Sequence, residues 1–163
     1  MAMEYIITLI VLAVIFAIYR VTSKIDNKNS ISFMETFNLT EMPIVTFLAG
    51  DSKINFLLDT GSTQSFISKE ASRLVTGTEM MCGMNLISAQ GAEGLTCKVI
   101  DTTLTYKDRD YEVRLFVNKG LDATFNEMKS SKGVNLHGVL GADFLDKHSY
   151  IVDFEKYLAY PKK

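Results

Sequence analysis

Apolar and polar positions divide this chain into three unequal stretches. From Tyr5 to Tyr19 the run YIITLIVLAVIFAIY contains no charge and no helix breaker. With Met3 and Val21 at its edges it approaches the ~17-residue lower limit of a bilayer-spanning helix. Residues 22–38 then turn polar and read as a tether, in which Ile31, Phe33 and Phe37 are able to pack against other apolar surface. Beyond Leu39 short apolar runs alternate with turn residues. Pro43 to Leu48 and Ile54 to Leu58, joined through Ala49-Gly50-Asp51-Ser52, predict a hairpin. Ser68 is placed to cap a short helix running to about Val75. A second hairpin, Met84 to Ser88 with Leu95 to Tyr106, is expected around the tip at Gln90-Gly91-Ala92-Glu93-Gly94. The turn Lys107-Asp108-Arg109-Asp110 leads into an alternating strand, Tyr111 to Val117. Phe125 to Lys132 keeps no clear period and predicts a loop or one helical turn. Leu136 to Leu140 reads as a strand, Ala142 to Lys147 as a short helix and Tyr150 to Phe154 as another strand. Many short strands, few helices and glycine-bearing turns predict an all-β domain, a closed barrel or a sandwich.

Charge decides how the first stretch is read. A cleaved secretory signal wants a positive leading segment and a small-residue cleavage site. Here Glu4 precedes the run and no Ala-x-Ala follows it. A core helix would be apolar on one face, whereas this one is apolar all round. The expectation is an uncleaved anchor over residues 1–22, a linker over 23–38 and one globular domain over 39–161. Arg20, Lys24 and Lys28 follow the span, so the positive-inside bias predicts a single-pass protein with its domain in the cytoplasm. The two cysteines, Cys82 and Cys97, are expected as free thiols there. They are too few for a disulfide framework and lack the spacing of a zinc site, so neither metal nor cofactor is expected. A net charge of −2 offers no basic surface for nucleic acid.

Candidate chemistry concentrates in Phe56-Leu57-Leu58-Asp59-Thr60-Gly61-Ser62. An apolar strand runs directly into an acid and then into small turn-forming residues. Burying a carboxylate after three hydrophobes costs free energy unless a partner compensates it. Taken alone, the segment fits equally an aspartate that caps a turn with its own side chain. A second segment, Leu136-His137-Gly138-Val139-Leu140-Gly141-Ala142-Asp143-Phe144-Leu145, sets an apolar strand and a glycine before a short helix. With the Asp59-Thr60-Gly61-Ser62 loop, the glycine-tipped hairpin and this late segment in that order, the sequence from about Leu39 to Tyr160 resembles the retropepsin family. These are the single-domain aspartic proteases of retroviruses and their cellular and bacterial relatives.

The resemblance implies a retropepsin-like closed β-barrel with one or two short helices, and the apolar run sets an N-terminal transmembrane helix before it. It also implies a homodimer in which two copies of Asp59 meet at the axis and hydrolyse a peptide or protein substrate. Thr60 resembles the family threonine whose hydroxyl bonds across that axis, and Gly61 allows the two loops to approach. Ser62 looks like the small polar residue that supports the carboxylate. Ala89, Gln90, Gly91, Ala92, Glu93 and Gly94 correspond to the flap that closes over substrate. Ala142 stands where retroviral members commonly carry an arginine that ties the dimer together, which implies a weaker dimer here. Thr63 and Ser65 read as surface turn positions, His137 and His148 as surface or satisfied core residues, and Met80 to Met84 as core packing ahead of the lining of a tolerant apolar subsite. Should one chain suffice for catalysis, Asp143 or Asp153 would be the second acid. The competing reading is a catalytically silent, membrane-tethered dimerisation or peptide-binding module on the same fold.

Overall fold

The computed structural model describes residues 10–16, 29–88 and 91–162, with backbone only for 82–88 and 91–97. Strand β2 (Ile44–Ala49) turns through Gly50, whose φ of 58° is one that glycine adopts without strain, into β3 (Ser52–Leu58). In β3 the residues Ile54, Phe56 and Leu58 are buried while their neighbours are less so, the period-2 pattern of a half-buried strand. β3 pairs in parallel with β8 (Gly138–Leu140), and β8 pairs with β4 (Phe66–Ser68). β4 pairs with β7 (Arg109–Asn118), which pairs with β6 (Gly91–Tyr106). A bridge from Thr105 of β6 back to Leu48 of β2 closes the ring. The result is a closed six-stranded barrel with few helices, as the pattern of short strands predicts. β5 (Thr78–Ser88) lies outside the ring and, among the described residues, pairs with β6 alone, extending as a long hairpin.

Aromatic side chains fill the barrel. The Phe47 ring sits 6.1 Å from Phe56, 5.9 Å from Tyr111 and 6.0 Å from Phe144, each close to edge-on. Such pairs add about 0.5–1.5 kcal/mol beyond the area they bury.

Three segments differ from expectation. Part of the expected tether is built into the fold: β1 (Ile31–Ser32) pairs with β10 (Leu158–Pro161), which pairs with β9 (Tyr150–Asp153). Ile31 and Phe33 are buried at 0% and 1% exposure, and helix α1 (Met34–Thr40) follows them. Phe33 and Phe37 pack on Phe154 and Tyr157. A two-residue strand has no local periodicity to read, and its partner lies at the other end of the chain. The Tyr150 hydroxyl donates to the Asn29 carbonyl at 2.8 Å, so Tyr111 must be the donor in its 2.9 Å bond to Tyr150. This buried hydroxyl chain fastens the start of the domain to the barrel and pushes the Tyr111 phenol upward, chiefly by desolvation.

Secondly, the region expected as a loop or single turn is helix α2 (Gly120–Lys132). Leu121, Phe125 and Met128 form one apolar stripe against a second small core of Ile44, Val134 and Leu136. Lys129 and Lys132 suit its C-terminal dipole, and Gly133 ends it in the left-handed conformation. Thirdly, the strands of the second hairpin run further than expected, leaving only residues 89–90 between Ser88 and Gly91. Gly91 to Gly94 therefore lie in β6, while Ala89 and Gln90 fall outside the described residues.

The helix expected after Ser68 is a single 3-10 turn, Ala71–Leu74, with Ser68 Oγ accepting the Ala71 N–H at 3.1 Å. Helix α3 (Ala142–Lys147) forms where expected. Of the apolar N-terminal run, residues 10–16 are helical with exposed side chains, and the rest lies outside the described residues. No helix among the described residues is long and apolar enough to cross a membrane.

Candidate active site

Asp59 follows β3 directly and stays partly exposed, while Leu58 before it is buried. Its N–H donates to the Leu140 carbonyl at 3.0 Å, carrying the β3–β8 pairing one residue further. The chain then reverses: the Ser62 N–H donates to the Asp59 carbonyl at 3.2 Å, and the Gly61 N–H donates to Asp59 Oδ1 at 2.9 Å. One carboxylate oxygen is thus oriented by the backbone of its own turn. A Cβ on Gly61 would sit 3.2 Å from that oxygen, so a larger residue here would make the carboxylate shift by a few tenths of an ångström. Thr60 and Gly61 are exposed at the head of the turn. The Ser62 hydroxyl donates to the Gln64 carbonyl at 2.7 Å and so braces the loop.

The late segment passes against this loop. The Ala142 N–H donates to the Ser62 carbonyl at 2.8 Å. Two of its glycines are required by the crossing. A Cβ on Gly138 would overlap the Phe66 carbonyl oxygen and the Phe56 ring, and one on Gly141 would lie 2.5 Å from the Gln64 carbonyl oxygen.

Ser65 and Asp143 form a brace that sequence reasoning missed. Ser65 is fully buried, contrary to the surface position expected for it. Its hydroxyl donates to Asp143 Oδ1 at 2.6 Å, its N–H donates to Oδ2 at 3.0 Å, and its Oγ accepts the Gly141 N–H at 3.0 Å. Asp143 also accepts the Phe144 N–H at 2.8 Å. The burial of a serine in a turn leaves no mark in hydropathy. Asp143 is thereby committed to holding the two segments together. Asp153 is committed elsewhere, accepting the N–H groups of Glu155 and Lys156 at 3.0 Å each and the Lys156 ammonium at 2.8 Å. Hydrogen bonding to Lys156 holds its carboxyl below the usual range.

The histidines serve backbone. His137 donates its N–H to the Asn55 carbonyl at 2.9 Å, and its Nδ1 accepts the Asn55 N–H at 2.9 Å, which requires Nδ1 unprotonated. Desolvation and then Lys129 keep its pKa low. His148 contacts the Glu112 carbonyl at 3.0 Å and packs against the Phe144 ring at a tilt of 56°, and burial lowers its pKa too. A cleft of about 590 Å³ beside the brace is lined by Gln64, Asp143 and the paired Asp101 and Arg114; it does not include Asp59. Arg114, through two 2.7 Å bonds, holds the Asp101 carboxyl below its usual range.

The sequence matches no protein-family model, and no curated protein matches it. Among solved structures the chain is similar to EIAV protease complexed with the inhibitor HBY-793. The two share 23% identity over 68% of this chain and 90% of that one, with a TM-score of 0.47.

Proposed function

We propose that the chain is one half of a membrane-tethered, homodimeric aspartic endopeptidase with the retropepsin fold, Asp59 being its catalytic carboxylate. The observation that carries this reading is the setting of Asp59. It stands at the end of a barrel strand, in a turn whose backbone aims one carboxylate oxygen, over a segment that braces the turn from behind. A turn-capping aspartate alone would not need that second brace.

One chain offers one such loop, so the working site takes two. Two carboxylates ~3 Å apart cannot both ionise, and they share a proton. The ionised member activates water as general base, and the protonated member polarises the scissile carbonyl. The exposed Thr60 and Gly61 are the surface that the second loop covers. An extended peptide lies between this floor and the β5–β6 hairpin, adding as a strand. Ala142, in place of the family's arginine, leaves the dimer weak in solution. The apolar run from Met3 to Val21 offsets this by holding copies in one membrane plane at raised effective concentration, with the domain on the cytoplasmic side.

The test is hydrolysis of a mixed peptide library by the full chain in detergent, with and without a pepstatin-type inhibitor. Cleavage that the inhibitor blocks and that Asp59→Asn abolishes, with the circular dichroism spectrum unchanged, is the expected result. Peptide binding without cleavage would favour the silent module, and full turnover by Asp59→Asn would overturn the assignment.

A further inference from the structure

One rung of the ladder behind the candidate site is made by a side chain that titrates. The parallel strands β3 and β8 run together toward the turn, β3 into Asp59 and β8 into Gly141. At their entrance the His137 N–H donates to the Asn55 carbonyl at 2.9 Å. The His137 carbonyl accepts the Ser68 N–H at 2.9 Å, so this one residue ties the entrances of β3, β8 and β4. A regular parallel ladder would offer the Asn55 N–H a backbone carbonyl. Here the Asn135 carbonyl accepts the Asn55 side-chain amide instead, at 2.8 Å, and the Asn55 N–H bonds the imidazole Nδ1 at 2.9 Å. We infer that His137 is a positioning residue for Asp59: its neutral ring latches the entrance of the β3–β8 pair, and its protonation releases the latch and slackens the turn.

A neutral imidazole has one acceptor nitrogen, and a charged one has none. Protonated Nδ1 would present an N–H to the Asn55 N–H, turning the rung from a bond into a contact between two donors. The other nitrogen, Nε2, carries the proton of the neutral ring and faces the Asn135 amide at 3.2 Å. The path to the site is short. Asn55 stands four residues before Asp59, and the Asp59 N–H donates to Leu140 at the far end of β8. Few charges face the ring. Burial opposes its protonation, and Lys129 of α2 adds to that. Glu70 and Asp122 line the same hollow of about 260 Å³, where the Asp122 carboxylate accepts the Glu70 N–H at 3.0 Å. β2, β4 and β8 carry no charged side chain, and β3 carries only Lys53. The latch is closed at neutral pH and opens as pH falls through a folded value below the ordinary 6.5. That its release lowers turnover rests on the protease reading; the opening of β3 does not.

The experiment takes the full chain in detergent from about pH 7.5 to about pH 4.5, a range that spans histidine titration. Hydrogen exchange is read over residues 53–58, with protection corrected for the pH dependence of intrinsic exchange, and near-ultraviolet circular dichroism marks global unfolding. Protection should fall several-fold toward acid while the circular dichroism holds. His137→Asn, which keeps an acceptor without titrating, should stay protected. Lys129→Met removes the cation facing the ring and should move the fall to higher pH, which keeps the test open if His137→Asn does not fold. Protection independent of pH, a fall seen only with global unfolding, an equal fall in His137→Asn, or a midpoint unmoved by Lys129→Met would each overturn the inference. Peptide turnover per folded molecule should fall with the same midpoint, and the acid limb should move up in Lys129→Met and down in His137→Asn. An acid limb that ignores both substitutions would overturn the positioning role. Protection that behaves as expected in a chain that cleaves no peptide at any pH would sink the protease reading and leave the latch standing.

Discussion

A carboxylate in a tight turn is held by whatever N–H groups point at it, and here the pointing is indirect. Gly61 reaches Asp59, but the turn keeps its shape because Ser65 and Asp143 are bonded beneath it. Ser65→Ala strips one donor from Asp143 and the side-chain acceptor from the Gly141 N–H. Stability should fall by about 1–3 kcal/mol, measured by urea unfolding, as expected when buried polar groups lose their partners. Hydrolysis per folded molecule should fall as well, because the turn loosens. Unchanged stability would mean that water replaces the hydroxyl.

His137 carries a pH dependence. Its Nδ1 accepts the Asn55 N–H only while neutral, and its folded pKa lies below the ordinary 6.5. A depressed histidine pKa means that the unfolded chain binds the proton first. Its contribution is therefore present above about pH 6.5 and lost as pH falls through the folded value. His148, depressed in the same direction, adds to the slope. Urea midpoints taken from about pH 7 to about pH 4 should fall, and His137→Asn, which keeps an acceptor without titrating, should flatten the fall. An equal slope in that variant would assign the acid sensitivity to other groups.

At the scale of elements, the stretch between the apolar run and the barrel matters most. Ile31 of β1 and Phe33, which caps α1, join the main core, and β1 completes the β1–β10–β9 sheet. Removing a buried phenylalanine side chain costs about 3–5 kcal/mol, a large share of a small domain's stability. A fragment beginning at Met42 should therefore fail to give a cooperative thermal melt, whereas one beginning at Asn29 should melt cooperatively. A sharp transition in the shorter fragment would show that the third strand is dispensable. Helix α2 was illegible for a different reason. Its stripe of Leu121, Phe125 and Met128 is interrupted by Asn126, Ser130 and Ser131, and only Ile44, Val134 and Leu136 across the fold make it worth burying.

For the whole molecule, a single chain carries one Asp59, and the proposed chemistry wants two. Specific activity of the Asn29 fragment should rise with protein concentration and level off as the dimer fills, read alongside analytical ultracentrifugation. Excess Asp59→Asn chain should poison wild type through mixed dimers. The full chain in vesicles should stay active at dilutions that silence the fragment. Concentration-independent turnover by a monomer would require the second acid within the chain, although Asp143 and Asp153 are already held by other partners.

What the sequence determined by itself is local. Apolar runs broken by turn residues marked the β2–β3 hairpin, and alternation marked β7, because a half-buried strand shows its period in a few consecutive residues. The run from Leu57 to Ser62 marked the candidate acid, because an aspartate beside small residues after a hydrophobic strand is a local signal. Tertiary structure decided everything that depends on distant partners. Ile31 pairs with Ala159, and Gly138 and Gly141 are glycines because other strands cross them closely. Ser65 is buried because Asp143 meets it from the far end of the chain. Hydropathy reports a residue's own preference for water, while these positions are fixed by which backbone lies next to them.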